Sequence, residues 1–157
     1  MKQVPLNRQI VESRLREIAV DIEKLEKFKG LPPPEFEKGE NFAIAEHYLR
    51  RALEAVFDMG NHILSRLPIP PGERPTMYKE IALALGKYNI VPFDFAQGVL
   101  KNMAGYRNRL IHFYYEITKK ELLEIIQKNL EDLERFCKYI MNFIEDKYTK
   151  DSRQKEV

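Results

Sequence analysis

The stretch Glu40–Arg66 reads ENFAIAEHYLRRALEAVFDMGNHILSR. Phe42, Ala45, Leu49, Ala52, Val56, Met59 and Ile63 recur in steps of three and four. That spacing lines apolar side chains along one face of an α-helix. The stretch therefore predicts one long helix, closed by Pro68, Pro70 and Pro71, because proline has no N–H to donate and clashes with the preceding turn.

Upstream, Val11, Leu15, Ile18, Ile22 and Leu25 repeat the pattern and predict a first helix over 7–28, stopped by the GLPPPEF segment at 30–36. Downstream, a short third helix is predicted from Met77 to Leu85, ending at Gly86. A fourth starts near Pro92, a residue suited to a first turn, and carries Phe95, Val99, Met103, Tyr106, Leu110 and Phe113. A fifth opens at Thr118, with Leu122, Ile126, Leu130, Leu133, Cys137, Ile140 and Ile144 as its stripe. Thr118 and Glu121 have capping-box spacing, in which each side chain serves the other's backbone N–H. No strand pattern or repeat is visible. Four long helices with single apolar stripes predict an all-α, up-and-down four-helix bundle with an additional short helix. The expected organisation is one domain over 1–148 and a flexible polar tail over 149–157. The Met, Phe and Tyr residues of the stripes read as core.

Composition narrows the function. With 26 Lys and Arg against 24 Asp and Glu, bulk electrostatics do not predict nucleic-acid binding, so any RNA contact needs a local patch. Cys137 is the only cysteine, which excludes an intrachain disulfide and fits a reducing cytosol. The start MKQVPLNRQI lacks an apolar signal region, and no stretch approaches the roughly 20 apolar residues that span a bilayer. The expectation is a cytoplasmic protein without membrane contact.

Several chemistries are absent. There is no GxGxxG and no phosphate-binding GxxxxGK loop. His47, His62 and His112 have no metal-ligand spacing, and Glu46-His47 lacks an HExxH partner, so no metal site is expected. Cys137 lies on an apolar stripe and reads as packing rather than as a nucleophile. The informative segment is YRNRLIHFYY at 106–115. With Tyr106, Leu110 and Phe113 facing the core, Arg107 and Tyr114 share one flank, while Asn108, His112 and Tyr115 group beyond. On chemistry alone, this is either a solvated face with a histidine near the helix C-terminus, where cations are favoured, or a reactive polar cluster.

The segment RNRLIHFYYEI at 107–117 resembles the R-x4-6-H signature of the HEPN ribonuclease superfamily, written here as R-N-x3-H. The trailing x-Y resembles the HepT toxins. Similarity extends to ALEAVFDMGNHI at 52–63, the proline-rich break, the short third helix and a long last helix opening with T-x-x-E, so it covers nearly the whole chain. The resemblance implies a homodimeric toxin endoribonuclease acting on RNA without metal or other cofactor. It implies Arg107 and His112 as the catalytic pair and Asn108 as a polar supporter. It further implies an MNT-type nucleotidyltransferase antitoxin as partner and Tyr114 as the acceptor of AMP.

The residue types suit that chemistry. An imidazole can take the proton of an RNA 2′-hydroxyl as it attacks the adjacent phosphate, and an arginine fork matches the phosphate oxygens on which charge builds. Geometry poses a question: residues five apart on a regular helix point about 140° apart. Either the helix bends near His112 or a second chain supplies the missing partner. Arg109, three residues before His112, is the alternative arginine. On the second predicted helix, Glu54, Asp58 and His62 stand four residues apart, with Asn61 beside them. They read as a solvated face or as a polar strip orienting His112 or Arg107; Glu54 and Asp58 are the candidate supporters. Arg50, Arg51, Lys101, Lys119 and Lys120 could form a modest basic patch. The rival readings are a non-catalytic nucleotide- or substrate-binding partner of a small nucleotidyltransferase and a purely structural dimerisation domain. An enzyme needs Arg107 and His112 in an open cleft; a structural dimer would bury them.

Overall fold

The computed structural model describes residues 6–112 and 116–155, with side chains described through residue 147. Every regular element among them is helical. In chain order they are α1 (Arg8–Lys29), α2 (Pro33–Phe36), α3 (Asn41–Ser65), a 3₁₀ turn (Pro71–Glu73), α4 (Tyr78–Lys87), α5 (Phe93–Phe95), a π-helical turn (Ala96–Leu100), α6 (Lys101–His112) and α7 (Lys119–Lys155). Helix α3 is central, touching α1, α4, α6 and α7, while α1 also packs on α7. The all-α bundle expected from the periodicity is the fold observed.

The stripes are the core. Val11, Ile18, Leu25, Leu49, Val56, Met59, Ile63, Leu122, Leu133 and Ile140 are all buried, and Leu15, Phe42, Val99, Tyr106 and Cys137 pack half-buried against them. Asn7 caps α1 by accepting from the Ile10 N–H at 3.2 Å, which satisfies one of the free donors of a helix start. The proline break after α1 is itself structured: α2 seats Phe36 edge-on against Phe28, with ring centroids 5.8 Å apart.

The structure revises three local expectations. Gly86 does not end the third predicted helix but lies within α4, where a Cβ would fall 2.5 Å from the Ala96 side chain. The glycine serves close packing, and Asn89 makes the stop. Asn89 takes a left-handed φ of 60°, while the Ile90 N–H bonds the Leu85 carbonyl at 2.9 Å and the Asn89 N–H bonds the Gly86 carbonyl at 3.1 Å. This is the Schellman arrangement, in which asparagine replaces glycine at small cost. Pro92 stands one residue before α5 rather than inside its first turn, and the helix it introduces loosens into the π turn before α6. The capping box is only half formed: Thr118 Oγ1 accepts from the Glu121 N–H at 3.1 Å, but the Glu121 carboxylate turns to Arg109. The backbone of α7 is helical over Lys119–Lys155.

Candidate active site

The last turns of α6 and the start of α4 face each other across a groove of about 550 Å³. Residues 76–80 form one wall, and Arg107, Asn108 and His112 line the other. The two flanks expected for Arg107 and for Asn108 with His112 therefore open on the same space. His112 is the last residue of α6 and is exposed. A second chain is not needed to bring Arg107 and His112 to one groove, despite the 140° that a regular helix would put between them.

Arg107 is held from three directions. Its guanidinium carbon lies 3.7 Å from the centre of the Tyr78 ring, a cation–π distance. One Nη pairs with Glu54 on α3 at 3.2 Å, and the other donates to Asn108 Oδ1 at 3.3 Å. The side chain is only 11% exposed. Its Nε is buried with no hydrogen-bond partner among the described residues, which is uncommon for a buried donor.

The opposite wall is fastened by Glu80. Its carboxylate accepts from the Thr76 N–H at 2.9 Å, the Met77 N–H at 3.2 Å and the Thr76 hydroxyl at 3.2 Å. The two backbone donors hold the Glu80 carboxyl below its usual range, since each favours the charged form. The result is a fixed entry to α4, with Tyr78 as its first residue.

The other sequence candidates separate clearly. Arg109 is not a groove residue. Its guanidinium makes a two-pronged contact with Glu121, one prong being Nη2 to Oε2 at 2.9 Å. That shared hydrogen bond holds the Arg109 value up and the Glu121 value down. Arg109 thus joins α6 to α7, while Arg107 is left to the groove. Glu54 reaches the motif, whereas Asp58 is exposed and outside the groove lining. His62 is half-buried with its Nε2 unpartnered among the described residues; burial, then Arg66, disfavours its protonated form. Tyr114, the expected AMP acceptor, lies outside the described residues together with Phe113 and Tyr115.

Burial pushes the Cys137 thiol up to about 11, consistent with its reading as packing. Among the described residues, no group of His, Cys, Asp or Glu is arranged to hold a metal ion, and no helix is long and apolar enough to cross a membrane. The expected basic patch is partly engaged: Arg50 pairs with Glu46 at 3.6 Å, Arg51 with Asp21 at 3.3 Å, and Lys119 donates to the Glu37 carbonyl at 3.0 Å.

Sequence reasoning missed Tyr78 and Glu80. The signal was present in the segment TMYKE at 76–80, where a Thr precedes a Glu just as the chain enters a helix. It missed Asp21 as well, a fully buried carboxylate that stands between Ile18 and Ile22 on the apolar stripe.

The chain is similar to known proteins over most of its length. The family described as HepT-like ribonuclease matches residues 18–140. The tRNA nuclease HepT of Aphanizomenon flos-aquae is 29% identical over 136 residues, covering 86% of this chain and 90% of that protein. The mRNA nuclease HepT of Shewanella oneidensis is 32% identical over 94 residues, covering 59% of this chain and 66% of that one. Among solved structures, a tri-AMPylated Shewanella oneidensis HEPN toxin in complex with MNT antitoxin superposes with a TM-score of 0.75 at 23% identity, over 87% of this chain and 99% of the toxin. YutE of Bacillus subtilis, a cytosolic protein of unknown function, gives 0.74 at 20% identity, over 90% and 93% of the two chains. These structures share the fold; the family match, over most of the chain, makes this protein a member of the HepT-like ribonuclease family.

Proposed function

We propose that the protein is the toxin of a toxin–antitoxin pair, an endoribonuclease that cleaves RNA without a metal ion and is silenced by a nucleotidyltransferase antitoxin of MNT type. The observation that carries this reading is the single groove lined by Arg107, Asn108 and His112. It is supported by family membership and by relatives named as tRNA and mRNA nucleases.

In the proposed reaction, His112 takes the proton of a ribose 2′-hydroxyl as O2′ bonds to the adjacent phosphorus. The P–O5′ bond breaks as O5′ takes a proton from water and leaves as a hydroxyl, and the His112 imidazolium gives its proton to the hydroxide so formed. Arg107 stabilises the negative charge on the phosphorane oxygens, and Asn108 holds the guanidinium in place. Two copies pair in the active protein. Silencing follows when the Tyr114 phenol attacks the α-phosphorus of ATP in the antitoxin's site, releasing pyrophosphate and leaving AMP on the tyrosine oxygen, with the added negative charge and bulk that this brings.

The purified protein should cleave single-stranded RNA in EDTA and leave 2′,3′-cyclic phosphate ends. His112→Ala and Arg107→Ala should each slow cleavage by roughly 100-fold or more, the scale of losing a general base or a charge stabiliser. Equal cleavage by wild type and His112→Ala would assign the activity to a contaminating nuclease and end this reading.

A further inference from the structure

We infer that Tyr78 is a positioning residue for the reaction: its ring face fixes the plane of the Arg107 guanidinium that meets the phosphate. This rests on the ribonuclease reading above.

Arginine has a long, flexible stem, and a phosphate-binding arginine works best when its fork is already oriented. Helix α6 alone does not orient Arg107, since its neighbour Asn108 contributes a single contact at 3.3 Å. Glu54 grips one Nη at 3.2 Å, but one pairing leaves the plane free to turn about that edge. The Tyr78 ring removes this freedom by covering one face of the guanidinium at 3.7 Å. The ring is itself immobilised from two sides. Phe57, a buried residue of α3, meets it edge-on with centroids 5.4 Å apart and planes at 86°. Glu80 holds the backbone just before it through the Thr76 and Met77 N–H groups. The segment 76–80 is thus a brace that carries core order out to the groove. What it supplies is the flat aromatic face; the phenol hydroxyl has no part in the contact.

The test compares Tyr78→Phe, which keeps the face, with Tyr78→Leu, which removes it. Both are read by RNA cleavage and by NMR of protein labelled with ¹⁵N-arginine. Tyr78→Leu should lower kcat by roughly 10-fold or more with KM changed by less than about threefold, because a loose fork still attracts RNA but meets the phosphorane poorly. Tyr78→Phe should recover most of that loss. In the spectra, the Arg107 Nε–H signal should be displaced by the ring current in wild type and Tyr78→Phe, and should move to an ordinary arginine position in Tyr78→Leu. Unchanged kcat in a folded Tyr78→Leu overturns the proposal, as does a Tyr78→Phe variant as impaired as Tyr78→Leu. If wild type cleaves no RNA, the ribonuclease reading fails separately. The spectra still decide the brace: an Arg107 signal indifferent to Tyr78→Leu overturns it, and one that moves as described supports it.

Discussion

Asp21→Asn should stabilise this protein at pH 8 and do little at pH 4.5. Asp21 lies on α1 with none of its surface exposed. Its nearest cation, Arg51 on α3, approaches to 3.3 Å through Nε but is itself 46% exposed. Burial outweighs that cation and, with Glu17 adding repulsion, raises the carboxyl from 3.8 to about 6; Arg51 and His47 pull the other way. The folded protein therefore keeps this proton between about pH 4 and 6, where the unfolded chain has released it. Stability falls as pH rises through that window and stays lower above it. The span corresponds to about 3 kcal/mol, at ~1.4 kcal/mol per tenfold change in proton affinity. Asparagine keeps the shape without the charge but releases Arg51 to solvent, so the net gain at pH 8 should be about 1–3 kcal/mol. At ~2–4 °C per kcal/mol for a chain of this size, the melting temperature should rise by several degrees. Thermal and urea unfolding of wild type and variant, at one protein concentration and at both pH values, measure the difference. A variant less stable than wild type at pH 8, or a gap that does not change with pH, would refute the reasoning and show that the Arg51 pair dominates.

Other outcomes test other parts of the structure. Arg109→Ala should cost ~0.5–1 kcal/mol, the range for a largely solvated ion pair, while leaving RNA cleavage within about threefold of wild type; a loss as large as that of Arg107→Ala would return Arg109 to the site. Gly86→Ala should destabilise by about 1–3 kcal/mol, because the added carbon would lie 2.5 Å from Ala96; unfolding at the wild-type midpoint would contradict this packing. Co-expression with a cognate nucleotidyltransferase should add mass in multiples of AMP at Tyr114 and stop cleavage, whereas Tyr114→Phe should escape the modification; peptide spectra placing AMP on Tyr115 or Tyr106 would overturn that assignment. Light scattering should show a dimer at micromolar concentration, and a monomer would count against two-fold pairing.

Helix faces and proline stops, which depend on near neighbours in sequence, were legible from the chain itself, although the local cap at 76–80 and the Asn89 stop were not read. The stripes of α1, α3 and α7 repeat every three or four residues and report their own buried faces. The prolines at 32–34 and 68–71 end helices by local clash. The R-x4-H spacing and the residues around it carried the resemblance to HEPN ribonucleases for the same reason, since a linear motif needs no tertiary information to be read. What the sequence left open was settled by side chains meeting across elements. Arg107 and Arg109 are two residues apart on one helix, and no local rule separates their roles. Glu54 on α3 and Tyr78 on α4 take one, and Glu121 on α7 takes the other. The same competition took Glu121 away from its expected cap. Gly86 looked like a helix stop because periodicity cannot show that Ala96 would crowd its Cβ. Asp21 went unremarked because nothing in a linear pattern shows which helix covers it. Helix faces are encoded within a few turns of chain, whereas the choice of ion-pair partner depends on distances between segments that only packing brings together.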